Sequence, residues 1–318
     1  MSFKILDWIS LFLGGISTIF YINVILVIAI RRKRSPFSGH FFKLFIVEGI
    51  LNIICFVLVL IFVKIRKSRA LSFLDSLLLE QSEGFLPSFI IAILSSIRIA
   101  LCIEVVLFAS NRYVAFSALT LYDEVWKDRY LGLTLLLQLL VILPETYMHY
   151  VNGFYKYVVL GPHLAIFVPT KKLHKLQSLV GTITTLITVI ISSTLYMLIF
   201  IKLKQLNQVK STRNDAEKGI LISCLLPFVV LLISLILDLV AHLSQSNNPD
   251  FLVVYNELWY VMTDALCLVS PFSLVLTCRS VRQAVFDSLH LKRLSKALSA
   301  QEVNLPVTRP VTSCITQK

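Results

Sequence analysis

The sequence has few of the residue patterns that mark catalytic or metal-binding proteins. Its six histidines are scattered without the spacing of metal ligands. It contains no glycine-rich loop for phosphates, no nucleophile elbow and no Cys-x-x-Cys pair. It also has no internal repeat, which argues against a transporter built from inverted repeats. We therefore predict a protein that is not an enzyme and needs neither metal nor cofactor.

Charged residues are also scarce, at 15% of the chain, whereas hydrophobic residues make up 57% and the mean hydropathy is +0.81. A water-soluble protein could not cover so much apolar surface, so lipid must be the solvent for most of the chain. The net charge of +12 comes from short basic clusters between apolar runs. This placement is typical of membrane-protein loops and argues against nucleic-acid binding.

Seven apolar segments are long enough to cross a bilayer as helices. They cover residues 9–30, 41–63, 88–109, 130–147, 176–201, 219–243 and 257–278. The first is too long for the core of a signal peptide and is followed at once by Arg31-Arg32-Lys33-Arg34, so it is a retained helix. The predicted fold is an all-α bundle of seven transmembrane helices in residues 1–289.

The distribution of lysine and arginine predicts the orientation of this bundle. These residues are more numerous in the loops after spans one, three and five and in the tail than in the other loops. The bias places the amino terminus outside and the carboxyl-terminal tail in the cytoplasm. Residues 290–318 are predicted to be a partly disordered tail, and the protein to lie in the plasma membrane.

Two further segments need separate interpretations. Residues 154–168 are apolar but short and contain Gly161-Pro162, so we interpret them as an outer loop over the bundle mouth. An eighth span there is the alternative, and it would reverse the orientation of everything that follows. Residues 281–298 have the basic amphipathic pattern of a helix lying on the inner leaflet.

Polar residues inside the first three spans predict a shared polar layer. Asn23, Glu48 and Glu104 each lie about seven residues, or about 10 Å, from the cytoplasmic end of their helices. Asn52 lies one turn beyond Glu48. The layer is either a switch that rearranges when helices move or hydrogen-bonded glue between helices.

Three charged residues in the spans are the strongest functional candidates. Arg98 lies near the middle of span three and Asp264 in the outer third of span seven, where they form either an ion pair or the lining of a ligand cavity. Arg98 could alternatively pair with Glu104 through water. Arg112 ends span three, and it either pairs with Glu48, Glu104 or Asp123 or extends its charge to water.

Two prolines interrupt the last two spans. Pro227 lies in span six and Pro271 in span seven, and each removes a backbone hydrogen bond from its helix. We predict that both are hinges.

Several short motifs follow one another along the chain. They are Phe41-Phe42-Lys43-Leu44-Phe45-Ile46 with Ile50-Leu51-Asn52-Ile53, Ser110-Asn111-Arg112-Tyr113, Tyr122-Asp123-Glu124-Val125-Trp126-Lys127, Lys204-Gln205-Leu206 with Glu217-Lys218-Gly219-Ile220, Ser270-Pro271-Phe272-Ser273-Leu274 and Arg279-Ser280-Val281-Arg282. This ordered set resembles the motifs of G-protein-coupled receptors, and more closely those of the nematode serpentine chemoreceptors of class gamma. The resemblance implies that Asn111 and Arg112 form a conformational lock at the G-protein face. It also implies that loops holding Trp126, Lys210, Arg213 and Lys218 form the coupling surface.

One departure from rhodopsin-like receptors bears on this lock. The acidic residue that precedes the arginine in those receptors is Asn111 here, so the partner of Arg112 must come from elsewhere in the chain.

The sequence as a whole predicts a chemosensory receptor that takes a small external molecule and signals through a heterotrimeric G protein. A ligand-gated channel or small transporter with charges lining a pathway is the alternative from another class. An orphan structural membrane protein is the third interpretation.

Overall fold

Long helices make up most of the chain that the computed structural model describes. The structure describes residues 5–34, 36–65, 76, 79, 80, 85–117, 122, 126, 132, 136, 138, 140, 143, 147, 156–159, 165–168, 171–206, 213–243 and 249–288. The helices are α1 (Ile5–Arg31), α2 (His40–Val59), α3 (Phe85–Ser117), α4 (Lys171–Leu206), α5 (Arg213–Leu243), α6 (Pro249–Thr277) and α7 (Arg279–Ser288). Lys210, Asp123 and the predicted tail at 290–318 lie outside the described residues.

Six of these helices, α1 to α6, are long and apolar enough to cross a membrane. They correspond to predicted spans one, two, three, five, six and seven. Large apolar side chains point outward from them, such as Ile30 at 80% and Leu276 at 70% exposure. Such an outer surface is stable only in lipid, so the prediction that the protein is a multi-pass membrane protein is confirmed.

Most of predicted span four, residues 130–147, lies outside the described residues. The positions that are described there are helical: Gly132, Leu136, Gln138, Leu140, Leu143 and Tyr147.

A short β-hairpin is an addition to the predicted helical fold. Strands β1 (Lys156–Val159) and β2 (Ala165–Val168) pair antiparallel, with Lys156 opposite Val168. Both strands fall within residues 154–168, the segment interpreted above as either an outer loop or an eighth span. An extended hairpin is not a helical span, so the eighth-span alternative is wrong, whereas the loop interpretation agrees with the hairpin.

A π-helical turn, Leu60–Ile65, continues α2 beyond Val59. A π-helix winds more widely than an α-helix and changes the direction in which later side chains point. Lys64 lies in this turn, and its side chain is buried, with only 7% exposed. The turn therefore brings into the bundle a lysine that the predicted span boundary at residue 63 had left outside.

Helix α7 packs against α1 and α6 rather than lying only on the leaflet. Its apolar stripe of Val281, Ala284 and Val285 is at most 1% exposed. Arg31 at the end of α1 lies 3.5 Å from Asp287 of α7. The carboxyl end of α1 and the helix after α6 are therefore at the same end of the bundle, and the position of this amphipathic helix on the inner leaflet stays a prediction.

Helices α5 and α6 pack closely along each other, and Gly219 lies in their contact. A Cβ atom added at Gly219 would lie 2.5 Å from the backbone oxygen of Thr277. A backbone carbonyl cannot move aside as a flexible side chain can, so only glycine fits at this position.

Gly219→Ala is therefore expected to lower the free energy of unfolding by about 1–3 kcal/mol, the usual cost of overpacking. Thermal unfolding of the purified chain in lipid nanodiscs measures this loss. Gly15→Ala is the matched control, because a Cβ atom there meets nothing within 4 Å. Equal stability of the two variants would contradict the close α5 to α6 contact.

Candidate functional site

Helix α3 carries three polar side chains that the sequence singled out, each at a different depth. Arg98, Glu104 and Arg112 follow one another along this helix, and each contacts a different set of neighbours. Arg98 and Arg112 are 14 residues apart, which corresponds to about 21 Å along a helix axis. The candidate site is therefore a series of three polar clusters joined by one helix.

The first cluster surrounds Arg98. Its Nη2 atom forms an ion pair with Asp238 of α5 and donates a hydrogen bond of 3.0 Å to Oγ1 of Thr185 in α4. The guanidinium carbon also lies 5.9 Å from the ring centre of Trp259 in α6. Asp238 is 3% exposed, so both charges are compensated inside the bundle.

A cavity opens beside Arg98, with a volume of about 150 Å³. Its lining is mostly apolar and includes Val59, Leu94 and Trp259, with Ser95 and Arg98 as polar groups. Gly181 of α4 forms part of the wall, and a Cβ atom there would lie 3.0 Å from Nη1 of Arg98. A mainly apolar cavity with a few polar groups has the character of a small-molecule site.

The second predicted member of this site, Asp264, has a different partner. Asp264 forms an ion pair with Lys64 of the π-helical turn, and its side chain is 14% exposed. The predicted ion pair between Arg98 and Asp264 is therefore wrong. Two separate pairs form instead, because α3 packs against α5 while α2 packs against α6.

The second cluster is a polar layer between the helices. Nδ2 of Asn52 donates to Oε1 of Glu104 at 2.9 Å and to the hydroxyl of Tyr21 at 3.3 Å. Nε2 of Gln138 donates to Oε2 of Glu48 at 3.4 Å and to the carbonyl oxygen of Ala100 at 3.1 Å. The predicted water-mediated pairing of Arg98 with Glu104 gains no support, because Glu104 hydrogen-bonds to Asn52.

Asn23 is not part of this layer, so that prediction is corrected. Its side-chain oxygen instead accepts a hydrogen bond of 3.3 Å from Ser288 at the end of α7. Tyr21, which is fully buried, takes the place in the layer that the sequence assigned to Asn23. Gln138 is the second member that sequence reasoning missed, and it connects predicted span four to the layer.

Several oxygen atoms in the layer have no hydrogen-bond partner among the described residues. They are Oε1 of Glu48, Oδ1 of Asn52 and Oε1 of Gln138. Unsatisfied buried acceptors are costly, and they leave the layer able to accept further hydrogen bonds in another arrangement.

The third cluster holds Arg112, which is only 2% exposed. Nη2 of Arg112 donates to Oδ1 of Asn111 at 2.5 Å and to the hydroxyl of Tyr122 at 3.4 Å. The guanidinium carbon lies 4.5 Å from the ring centre of Phe41 in α2. The expectation that this charge reaches water at the helix end is therefore wrong.

The acidic partners predicted for Arg112 are also corrected where the structure describes them. Glu48 and Glu104 are hydrogen-bonded within the polar layer, whereas Asn111 and Tyr122 accept from the arginine. The hydroxyl of Tyr122 also donates to Oδ1 of Asn111 at 3.3 Å. The acceptors described for Arg112 are thus the side-chain amide of Asn111 and the hydroxyl of Tyr122.

The predicted coupling loops are described only in part. Trp126 is 5% exposed and belongs to the hydrophobic core, so it is not a surface residue as expected. Arg213 and Lys218 lie in the first turns of α5, but their side chains are outside the described part. The predicted basic surface for coupling to a G protein therefore stays a prediction.

The two predicted hinge prolines lie inside α5 and α6. Pro227 has no N–H to bond the carbonyl oxygen of Ser223, four residues earlier. That oxygen instead accepts a hydrogen bond of 3.1 Å from Oγ of Ser273 in α6. The next carbonyl, of Cys224, accepts one of 2.8 Å from the hydroxyl of Tyr196 in α4. The break in α5 is therefore stabilised by its two neighbours.

Asn52→Leu is expected to destabilise the protein by about 1 kcal/mol or more, because it leaves Glu104 and Tyr21 without their donor. Thermal unfolding in nanodiscs measures the effect. Asn23→Leu is the matched control and should change stability by less than about 0.5 kcal/mol, since Asn23 lies outside the layer. A larger effect at position 23 than at position 52 would contradict this arrangement.

Comparison with known proteins identifies the family of the chain. Residues 11–291 match the family model described as serpentine type 7TM GPCR chemoreceptor Srv. No curated protein matches the chain. The family match confirms the serpentine chemoreceptor class that the motifs indicated, but it does not support class gamma. Since the match spans most of the 318 residues, the chain belongs to the serpentine type 7TM GPCR chemoreceptor family Srv.

Proposed function

We propose that this chain is a seven-span chemosensory receptor of the plasma membrane, which binds a small external molecule beside Arg98 and signals through a heterotrimeric G protein. The observation that carries the proposal is the continuity of α3. This one helix joins the cavity at Arg98, the polar layer at Glu104 and the buried Arg112. A change at the cavity therefore has a direct physical route to the far end of the bundle.

The directions of α3 and α4 support a seventh span. Arg98 contacts Thr185 and Gly181, whereas Arg112, later in α3, lies within electrostatic reach of Tyr196, later in α4. The two helices therefore run in the same direction. The chain must cross the bundle once between them, and residues 130–147 are the apolar segment available for that crossing.

The contacts of Gln138 also support this crossing. Its side chain is 3% exposed and reaches Glu48 of α2 and the backbone of Ala100 in the middle of α3. Residue 138 is in the middle of the segment 130–147, at the depth expected for the centre of a span. Together with α1 to α6, this segment makes seven crossings.

An odd number of crossings places the two termini on opposite sides. The contact of Arg31 with Asp287 places the carboxyl end of α1 beside α7, so α1 starts at the other end of the bundle. The greater number of basic residues at the α7 end supports a cytoplasmic position for it and an external amino terminus.

The proposed switch is an equilibrium between two helix arrangements. Arg112 donates to Tyr122, and the break in α5 at Pro227 is bridged by side chains of α4 and α6. Such contacts can exchange partners at low cost when helices move. A ligand that favours the active arrangement by about 1.4 kcal/mol changes the ratio of the two states tenfold.

In this proposal Arg112 leaves Tyr122 in the active state and contacts the G protein, together with the basic residues Lys210, Arg213 and Lys218. Arg112→Ala should therefore reach the cell surface in normal amounts and abolish the ligand-stimulated second-messenger response. Arg32→Ala, which removes an exposed arginine at the same end of the bundle, should respond as the wild type does.

Two results would contradict the proposal in different ways. A normal response from Arg112→Ala would show that this arginine is not the switch. Ligand-evoked current in a bilayer that contains the purified protein and no G protein would instead favour a channel, in which intramembrane charges line a conducting path.

A further inference from the structure

We propose that the cavity beside Arg98 selects small, uncharged molecules that carry one carbonyl or hydroxyl oxygen, and that it rejects carboxylates of the same size. The inference rests on the proposed function in one respect: the molecule that binds in this cavity is taken to be the external cue. Three properties of the cavity carry it: its volume, the donors of Arg98 and the charge balance around that residue.

The volume limits the ligand to a small molecule. A cavity of about 150 Å³ with aliphatic and aromatic walls holds a molecule of roughly the size of benzene. A second cavity of about 20 Å³ lies on the other side of Arg98 and Trp259 and adds little space. The lining side chains Val59, Ile91 and Leu94 provide an apolar surface for a hydrocarbon body.

The arginine offers donors to such a ligand. Both described hydrogen bonds of Arg98, to Asp238 and Thr185, use Nη2. Nη1 and Nε donate to no protein group within the described part of the chain, although 21% of the side chain is exposed. A carbonyl or hydroxyl oxygen of a ligand in the cavity can accept from them, because Arg98 lines the cavity.

The charge balance excludes an anion. Asp238 is 3% exposed and already neutralises Arg98. Among the described residues that line the cavity, Arg98 alone carries a charge. A carboxylate beside this pair would leave one uncompensated negative charge in a low-dielectric interior. A neutral oxygen accepts the same hydrogen bonds without that cost.

Cyclohexanone, cyclohexane and cyclohexanecarboxylate are suitable probes, because they share one ring and differ in the polar group. Their binding to the purified full-length chain in nanodiscs is measured by ligand-observed NMR, with empty nanodiscs as the correction for partition into lipid. The ketone should bind at least about tenfold more tightly than the hydrocarbon or the carboxylate, which corresponds to about 1.4 kcal/mol. Carboxylate binding equal to or tighter than ketone binding would overturn the inference.

A variant of the ion pair tests the charge argument directly. Asp238→Asn removes the compensating charge, so the preference should reverse and the carboxylate should bind more tightly than the ketone. Size-exclusion chromatography checks that this variant is folded. If the variant is not folded, the binding of the three probes to the wild-type protein tests the selectivity by itself. A folded Asp238→Asn protein that still prefers the ketone would contradict the assigned role of the pair.

Gly181→Ala tests the position of the donors. The added methyl group presses on Nη1 of Arg98 and should weaken ketone binding at least about fivefold while leaving cyclohexane binding within about twofold, since a hydrocarbon makes no hydrogen bond. Gly15→Ala, with open space around its Cβ atom, should bind both probes as the wild type does. Unchanged ketone binding in Gly181→Ala would place the ligand oxygen away from Nη1 and overturn this geometry.

Failure of the inference is distinguishable from failure of the proposed function. Ketone binding without any second-messenger response leaves the cavity chemistry intact and removes the receptor proposal. A G-protein-dependent response to the carboxylate, lost in an Arg98→Met variant, would support the receptor proposal and overturn the inferred selectivity of the cavity.

Discussion

The requirement that charges inside a lipid-embedded bundle be compensated determines much of this structure. An unpaired charge at the centre of a bilayer costs about 3 kcal/mol on insertion scales, so a polar helix position needs a partner on a neighbouring helix. Arg98 pairs with Asp238 and Lys64 with Asp264. The first pair joins α3 to α5 and the second joins the turn after α2 to α6, so each pair compensates charges between helices that pack against each other.

The same requirement is met in three different ways along α3. Arg98 is compensated by the carboxylate of Asp238, the carboxyl group of Glu104 accepts a hydrogen bond from Asn52, and the buried Arg112 donates to Asn111 and Tyr122. In the proposed function, a ligand beside Arg98 acts at one end of this series and Arg112 responds at the other.

Much of the fold could be predicted from the sequence, because apolar length alone indicates membrane helices. The pairing of side chains could not, because it depends on which face of each helix points inward. Buried Leu231 and Leu235 lie on the same face as Asp238, and buried Val24 and Ile28 on the same face as Tyr21. This spacing of three to four residues was the available signal for the inward direction of Asp238 and Tyr21, and Asn23 lies off it. The inward direction of Lys64 had no such signal, since it follows from a π-helical turn.

A double-mutant cycle on Arg98 and Asp238 tests the central claim most directly. The variants Arg98→Met, Asp238→Leu and the double variant are compared by unfolding in nanodiscs. Removing one partner should cost about 3–5 kcal/mol, because it leaves a buried charge uncompensated, and the double variant should be more stable than either single one. Additive losses in the double variant would show that the two residues do not pair, and the account of the bundle and its cavity would fail with them.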